Sequence, residues 1–203
     1  RHIHELCQLM IQSAKIQMKA GQHSFQGFSI DMNMLFEKFV IGVLKKEAGL
    51  NVAPQKESKF LIGNNIKAIR VDGWLNQQKI VFDTKYKEAF EVHQENEATM
   101  LGPIKVLNAD IYQIIAYCNH DYFKNSTGVL IYPISAKSTN VSSCYSVKGF
   151  NQNIYIISFN INFDQSRKKP KEINDFVSTF LKLISNNSSN QVLLSPTHDH
   201  YHV

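Results

Sequence analysis

Two neighbouring stretches of the chain, IRVDGWL at residues 69–75 and IVFDTKYK at residues 80–87, place charged residues among apolar ones. Both stretches read as β-strands, and only a short polar turn separates them. Asp72, Asp83 and Lys85 stand where a buried strand would carry apolar side chains. A buried charge costs free energy unless it is paired or bound to a metal. The conflict therefore indicates a functional site, because sequences break their own patterning mainly where function requires it.

The alternation of side chains along a strand predicts how these residues are arranged. Asp83 and Lys85 share one face, and Thr84 lies on the other. If the two strands form a hairpin, Asp72 can lie close to Asp83, although the sequence leaves the register open. Two carboxylates beside a lysine suit Mg²⁺, which prefers oxygen ligands. From the spacing alone, an ion pair between Asp83 and Lys85 on a half-exposed edge strand is an equally good interpretation.

Two predicted helices carry further polar residues. Glu37 falls inside the apolar arc of the helix predicted over 31–48 and should point towards the sheet, where it could complete a metal site. The alternative is a carboxylate that reaches solvent or pairs with a lysine. On the helix predicted over 110–120, Asp110, Gln113 and Tyr117 line one face. A glutamine and a tyrosine one turn apart can hydrogen-bond a phosphate, but this pattern is also common on surface helices.

The rest of the chain predicts a mixed sheet flanked by helices. The expected elements are a helix at 3–20, a connector at 21–30, a helix at 31–48, strands near 52–62, 66–75 and 78–87, a polar loop at 88–107, a helix at 110–120, strands at 128–132 and 154–160, a final helix over 173–184 and a weak tail after Ser185. Short connections favour an antiparallel arrangement of the first three strands, and the later helix–strand passage favours a crossover.

Composition excludes several classes of protein. The chain has 203 residues, enough for one sizeable core, and no apolar run approaches the length of a membrane span. Its three cysteines lack a CxxC spacing, which argues against a disulfide framework or a zinc ribbon and favours a reducing cytoplasm. The chain lacks a GxxxxGK[ST] phosphate loop, so we do not expect it to hydrolyse nucleotides. The net charge of +5 permits a polyanionic partner without requiring one.

Taken together, these residues resemble the PD-(D/E)xK nuclease superfamily. Asp72 matches the first acid, and residues 83–85 match the (D/E)xK element. Glu37 matches the helical glutamate that many members place before the sheet. Gln113 and Tyr117 match the QxxxY signature of the RecB-like branch. The resemblance implies a restriction-endonuclease-like αβββαβ core, over residues 31–186, between an N-terminal helix and connector at 1–30 and a C-terminal tail at 187–203.

Within that superfamily, the chain is most similar to the McrC family. Three sequence segments carry this resemblance: FSIDMNMLFEKFV at residues 28–40, VFDTKYK at 81–87 and DIYQIIAY at 110–117. McrC proteins are the nuclease subunits of McrBC-type modification-dependent restriction systems, which act in antiviral defence. Val71 departs from the superfamily pattern, which often has a proline before the first acid. Such subunits also usually carry an N-terminal region that docks on the motor partner, and we expect this chain to lack most of it.

The resemblance implies a cytoplasmic, Mg²⁺-dependent endonuclease in which Mn²⁺ can substitute. Asp72, Asp83 and the Thr84 carbonyl would bind the metal, Glu37 would contact it directly or through water, and Lys85 would be the catalytic lysine. Gln113, Tyr117 and Lys87 would support the site or contact DNA. The implied partners are DNA and a McrB-like AAA+ GTPase, with no membrane association; the resemblance also allows dimerisation on DNA. Two alternatives stay open: another RecB-like nuclease, such as an exonuclease or resolvase domain, and a non-catalytic DNA-binding or assembly module.

Overall fold

The computed structural model describes residues 16–20, 23–27, 30–61, 67–87, 106, 108–134, 142–149, 152–163 and 170–193, with the backbone alone for residues 16–27, 60–61 and 188–193. The chain divides into two compact units, Arg1–Leu35 and Phe36–Val203. The candidate site residues named above all fall in the second unit. The predicted loop at 88–107 lies almost entirely outside the described residues.

The described part of the first unit contains a β-hairpin. Strands β1 (Ile16–Ala20) and β2 (His23–Gly27) pair antiparallel, with Met18 opposite Phe25. The prediction of a helix over 3–20 is therefore wrong for residues 16–20, and its remainder lies outside the described residues. The predicted connector at 21–30 is likewise corrected, because residues 23–27 form a strand. Ile16, Met18 and Ala20 alternate with polar residues, a period typical of a strand, whereas the helix prediction rests on the spacing of earlier residues.

Helix α1 (Met32–Lys46) begins and ends where the sequence predicts. Asp31 caps it, because its Oδ1 accepts hydrogen bonds from the amides of Asn33 and Met34 at 2.9 and 3.2 Å. At the other end Gly49 adopts a φ of 65°, a left-handed conformation that glycine tolerates best. The Leu50 amide then donates to the Leu44 carbonyl at 3.0 Å, which closes the helix.

The described residues of the second unit form a mixed sheet of six strands with the order β3-β4-β5-β6-β8-β7. The strands are β3 (Ala53–Leu61), β4 (Lys67–Leu75), β5 (Ile80–Thr84), β6 (Thr127–Ile134), β7 (Ser142–Ser146) and β8 (Asn153–Asn160). The first three are antiparallel, as predicted, and β6 runs parallel to both β5 and β8. Helix α2 (Asn108–Asn119) precedes β6 and lies in the predicted crossover. A 3₁₀ turn, Asp121–Phe123, follows it.

Helices cover both faces of this sheet, and each face has its own hydrophobic core. In the first core, α1 and helix α3 (Lys171–Leu193) pack on sheet residues that include Ile80 and Phe82. In the second core, α2 packs on residues that include Val81 and Leu130. The alternation of residues 80–82 between the two cores confirms the predicted faces of β5. Among the described residues, no helix is both long and apolar enough to cross a membrane.

Two elements of the second unit, α3 and β7, differ from the sequence prediction. Helix α3 continues to Leu193, well into the Asn/Ser-rich stretch for which the sequence predicts a tail from residue 187. Asn187 explains the extension: it is buried, accepts a hydrogen bond from the Thr127 hydroxyl, and donates to the Gln78 carbonyl at 3.1 Å. Strand β7, with the sequence SSCYS, escapes prediction because it is short, polar and mostly exposed. Residues 194–203 lie outside the described part.

Two glycines allow close packing beside the site, and one of them supports a clear prediction. A Cβ on Gly128 would meet Ile114 Cγ1 at 2.7 Å, so this glycine lets α2 approach β6 closely. A Cβ on Gly73 would meet Phe82 Cζ at 2.0 Å. We therefore expect Gly73→Ala to lower the free energy of unfolding by roughly 1–3 kcal/mol, the usual cost of overpacking a core.

Gly42 provides the matched control for this substitution. It lies inside helix α1, where an added methyl group would meet no heavy atom within 4 Å other than those of the adjoining residues and the helix backbone. Gly42→Ala should therefore raise the free energy of unfolding by roughly 0.5–1 kcal/mol. Urea or thermal denaturation of both variants measures the difference. A Gly73→Ala protein as stable as the wild type would show that the Phe82 ring can move aside without cost.

Candidate catalytic site

The end of strand β5 places three consecutive residues of the candidate site. Asp83 is buried with 3% of its surface exposed, Thr84 is buried, and Lys85 is partly buried. Although β5 ends at Thr84, the Lys85 amide still donates to the Ile131 carbonyl at 2.9 Å, which keeps the lysine in line with the sheet. Because side chains alternate, Asp83 and Lys85 project towards α2 and Thr84 towards α1. This is the predicted distribution.

Asp72 reaches this group from strand β4. Its Oδ2 accepts two hydrogen bonds from Thr84, one from the amide and one from the hydroxyl, each 2.7 Å long. The carboxylate is thereby oriented at the end of β5, beside Asp83. The structure thus brings together the two acids whose register the sequence leaves open.

A local break in strand alternation accompanies this placement. Val71 and Trp74 both pack in the second core, although regular alternation would put residues three apart on opposite faces. The break lies at Asp72 and Gly73. In the neighbouring strand Gln55 has a φ of 46°, a conformation rare for a residue with a side chain. Such irregularities are typical of sites where a side chain is redirected, and sequence reasoning did not identify Gln55.

Lys85 connects the strand residues to helix α2. Its Nζ lies 2.7 Å from Asp83 Oδ2 and donates to Gln113 Oε1 at 2.8 Å. The Gln113 amide nitrogen donates in turn to the Tyr117 hydroxyl. Gln113 and Tyr117, predicted to support the site, therefore contact each other, and Gln113 contacts the candidate catalytic lysine. An ammonium has three N–H groups, so one remains for a further acceptor.

Burial and like charge shape the electrostatics of the site. Burial, and after it the Asp72 carboxylate, raise the pKa of Asp83 to about 7, against the lowering effect of Lys85. Burial alone would lower the pKa of Lys85, but the charges of Asp83, Asp110 and Asp72 raise it. The pKa of Tyr117 is also raised, first by burial and then by Asp83. The site thus holds more negative charge than one lysine can neutralise.

A second lysine–carboxylate pair lies next to the first. Lys87 Nζ is 2.6 Å from Asp110 Oδ2, and the Tyr132 hydroxyl donates to the same oxygen at 2.8 Å. Asp110 is buried, and Tyr132 is fully buried in β6. Lys87, predicted to contact DNA or support the site, is therefore held beside α2. The sequence places Asp110 only on a polar helix face and does not predict its pairing with Lys87. The feature that could have indicated such a partner is an acidic residue on the buried side of a helix.

Glu37 lies apart from this arrangement. It is half-buried on α1, which packs on the opposite face of the sheet from α2, and its Oε1 accepts a hydrogen bond from Gln55 Nε2 at 3.0 Å. Burial and then the charge of Asp72 raise its pKa, so Asp72 is its link to the site. Within the described ranges, no group of three or more His, Cys, Asp or Glu side chains is arranged to hold a metal ion. The contact between Glu37 and a metal stays a prediction.

The residues at the end of β5 nevertheless suit a divalent cation. Asp72 and Asp83 are adjacent carboxylates, one of them almost fully buried. Apart from the Lys85 ammonium, Asp83 Oδ2 has no donor among the described side chains and backbone groups. Buried carboxylate pairs are costly without a compensating cation. Asp72, Asp83 and the Thr84 carbonyl would supply only oxygen ligands, the type that Mg²⁺ prefers.

Sequence similarity relates this chain to a family of restriction-system components. The family model described as "McrBC 5-methylcytosine restriction system component" matches residues 1–133, well over half of the 203 residues. This chain belongs to that McrBC family. The match includes every candidate site residue named above. A search of curated proteins finds no match.

The fold of this McrBC family member is also found in a solved structure. The matched structure is described as the refined half-complex from the tetradecameric assembly of Thermococcus gammatolerans McrB AAA+ hexamers with bound McrC. The similarity has a TM-score of 0.55 at 16% sequence identity and covers 78% of this chain but 34% of that one. At this identity the likeness establishes the fold alone. The chain described here spans about a third of the length of the chain that it matches.

Proposed function

We propose that this chain is the DNA-cutting subunit of a McrBC-type restriction system, with a PD-(D/E)xK nuclease site formed by Asp72, Asp83 and Lys85. The observation that carries the proposal is the convergence of these three side chains, from two strands, at the end of β5. Family membership supports a restriction system as the context. The site would act in the cytoplasm, on the phosphodiester backbone of DNA.

Asp72, Asp83 and the Thr84 carbonyl would hold Mg²⁺, or Mn²⁺ in its place, with Glu37 as a further contact. When bound, the ion polarises a phosphate oxygen and lowers the pKa of a coordinated water. Thr84 orients the Asp72 carboxylate through its two hydrogen bonds. Asp83 contributes a buried carboxylate whose negative charge is only partly balanced by Lys85.

Lys85 is suited to stabilise charge at the reacting phosphate. Asp83 and Gln113 hold its ammonium at 2.7 and 2.8 Å, which leaves one N–H for a water or a phosphate oxygen. A preorganised donor of this kind stabilises charge that develops in the transition state. Tyr117 supports the arrangement through Gln113. Lys87, partly exposed beside Asp110, can contact a neighbouring phosphate.

We further propose that cutting requires a McrB-like AAA+ GTPase, which would translocate DNA and recognise the modified base. The matched structure is of McrB AAA+ hexamers with bound McrC. The family description names 5-methylcytosine as the modified base of the restriction system. This division of labour leaves the present chain to grip phosphates with little sequence preference, and such binding weakens steeply with salt.

Plasmid cleavage tests this function. The chain is co-purified with an AAA+ GTPase encoded beside it and incubated with plasmid carrying or lacking 5-methylcytosine. We expect linear product only when methylated plasmid, GTP and Mg²⁺ or Mn²⁺ are all present, and none in EDTA. An assembled complex that binds methylated plasmid but leaves it intact under every condition would instead favour the non-catalytic assembly module. The absence of a motor gene beside this one would contradict the McrC-like role.

A further inference from the structure

We propose that Asp110 is a positioning residue of the nuclease site: it holds Lys87 against helix α2 and so keeps the preceding Lys85 directed at Asp83 and Gln113. This inference rests on the proposed function, because it concerns the same site. It assigns a role to a residue that is neither a candidate metal ligand nor the catalytic lysine.

Two parallel contacts join the end of β5 to helix α2. Lys85 contacts Gln113 at 2.8 Å, and Lys87 contacts Asp110 at 2.6 Å. Both lysines reach the same helix, and residues three apart on a helix are neighbours on its surface. The two lysines therefore match the two helix residues, one contact per helical turn. If either contact is lost, the other alone must keep the segment from Lys85 to Lys87 aligned with the helix.

The segment from Lys85 to Lys87 needs such an anchor. Strand β5 ends at Thr84, and the Lys85 amide makes the last hydrogen bond to the neighbouring strand. The next described backbone hydrogen bond joins the Lys87 amide to the Lys85 carbonyl, at 3.0 Å. This bond links the segment only to itself. Tyr86 packs on the first core, with its ring 6.0 Å from that of Phe36, and so anchors the opposite face. Asp110 supplies the anchor on the face that carries Lys85.

Asp110 is itself firmly placed. Only 5% of its surface is exposed, and its Oδ2 also accepts the hydroxyl hydrogen of Tyr132, which is fully buried in β6. Lys87 is the more exposed partner, with 36% of its side chain accessible. A fixed, buried acceptor paired with a partly exposed ammonium makes a charge-assisted contact that is less screened than one on the surface. Asp110 therefore positions Lys87 rather than the reverse.

Single-turnover cleavage by the complex with its motor tests the proposal. Asp110→Asn keeps an acceptor for Tyr132 but removes the charge that holds Lys87. We expect its cleavage rate to fall roughly tenfold to a hundredfold, as misplaced catalytic groups do, with DNA affinity close to that of the wild type. Asp175→Asn, the same change at an exposed site on α3, should leave the rate unchanged.

A double-mutant cycle shows whether Asp110 acts through Lys87. If it does, adding Asp110→Asn to Lys87→Ala should lower the rate no further than Lys87→Ala alone. Independent effects that multiply would assign Asp110 a merely structural role and overturn the proposal. A wild-type rate for Asp110→Asn would overturn it equally.

A spectroscopic measurement separates this proposal from the proposed function. In ¹⁵N-lysine spectra of the wild-type chain, the Lys85 ammonium should give a signal protected from exchange by its two partners. Asp110→Asn should shift and broaden that signal, and Asp175→Asn should not. An unchanged Lys85 signal in Asp110→Asn would refute the positioning role, even if the wild type cuts DNA. If the wild type cuts no DNA but the signal responds as expected, the nuclease function fails and the positioning role stands.

Discussion

Lys85→Ala is expected to abolish DNA cleavage by the assembled complex while the protein still folds and binds its partner. In the proposed mechanism the ammonium is the donor directed at the reacting phosphate, and the loss of one such donor typically costs about a hundredfold to a thousandfold in rate. Folding should survive because Asp83, left without its cation, can take up a proton: its pKa is already raised to about 7 with Lys85 present. Plasmid cleavage, thermal melting and gel filtration with the partner measure the three properties.

Lys45→Ala is the matched control for this experiment. Lys45 is exposed in the last turn of α1, so its removal takes away the same charge from the surface without reaching the site. We expect normal cleavage from this variant. A folded, assembled Lys85→Ala protein that cuts DNA at the wild-type rate would rule out the assigned mechanism.

Asp83→Asn should also abolish cleavage, but it should stabilise the metal-free protein. The carboxylate is 3% exposed, and burial together with Asp72 raises its pKa from 3.8 to about 7. In EDTA at pH 8 its charge therefore opposes folding by on the order of 2–4 kcal/mol, since one pKa unit corresponds to about 1.4 kcal/mol. Asparagine is neutral and still offers Lys85 an acceptor. We expect a melting temperature several degrees above that of the wild type.

The pH dependence of this difference follows from the sign of the shift. Because the folded-state pKa lies above the unfolded value, the wild type loses stability as the pH rises from about 4 through about 7. The advantage of Asp83→Asn in EDTA should thus be largest above pH 7 and should vanish near pH 4. Melting curves across this range, with Asp175→Asn as the surface control, measure it.

Mg²⁺ should stabilise the wild type selectively. A ligand that binds only the folded state stabilises it by about 1.4 kcal/mol at ten times its Kd. We expect Mg²⁺ to raise the melting temperature of the wild type and to leave that of Asp83→Asn almost unchanged. An equal Mg²⁺ effect on both proteins would remove Asp83 from the metal site, whatever the outcome of the cleavage assay.

Local patterning is a good guide wherever a residue's position depends mainly on its neighbours in the chain. The alternation of residues 80–85 correctly predicts which side chains share a face, because the strand is buried on both faces by separate cores. The cap at Asp31 and the stop at Gly49 are equally local, and both ends of α1 follow from them. The antiparallel arrangement of β3, β4 and β5 follows from the short connections between them.

Patterning fails where a distant partner decides the conformation. The Asn/Ser-rich end of α3 has weak helical character of its own, and its Asn187 is held by Thr127 and Gln78, far away in sequence. Strand β7 has little apolar signal and depends on its pairing with β8.

The sequence by itself determined which chemical groups this protein can bring to a site: two acids and a lysine on adjacent strands, a glutamate on the first helix, and a glutamine and a tyrosine on the second. Only the tertiary structure decided how they meet. The break in alternation at Asp72 turns its carboxylate onto Thr84, the sheet separates Glu37 from Lys85, and Asp110 emerges as the partner of Lys87. The physical reason is that strand and helix periodicity act over a few residues, whereas register, close packing at Gly73 and Gly128, and buried ion pairs depend on contacts between remote parts of the chain.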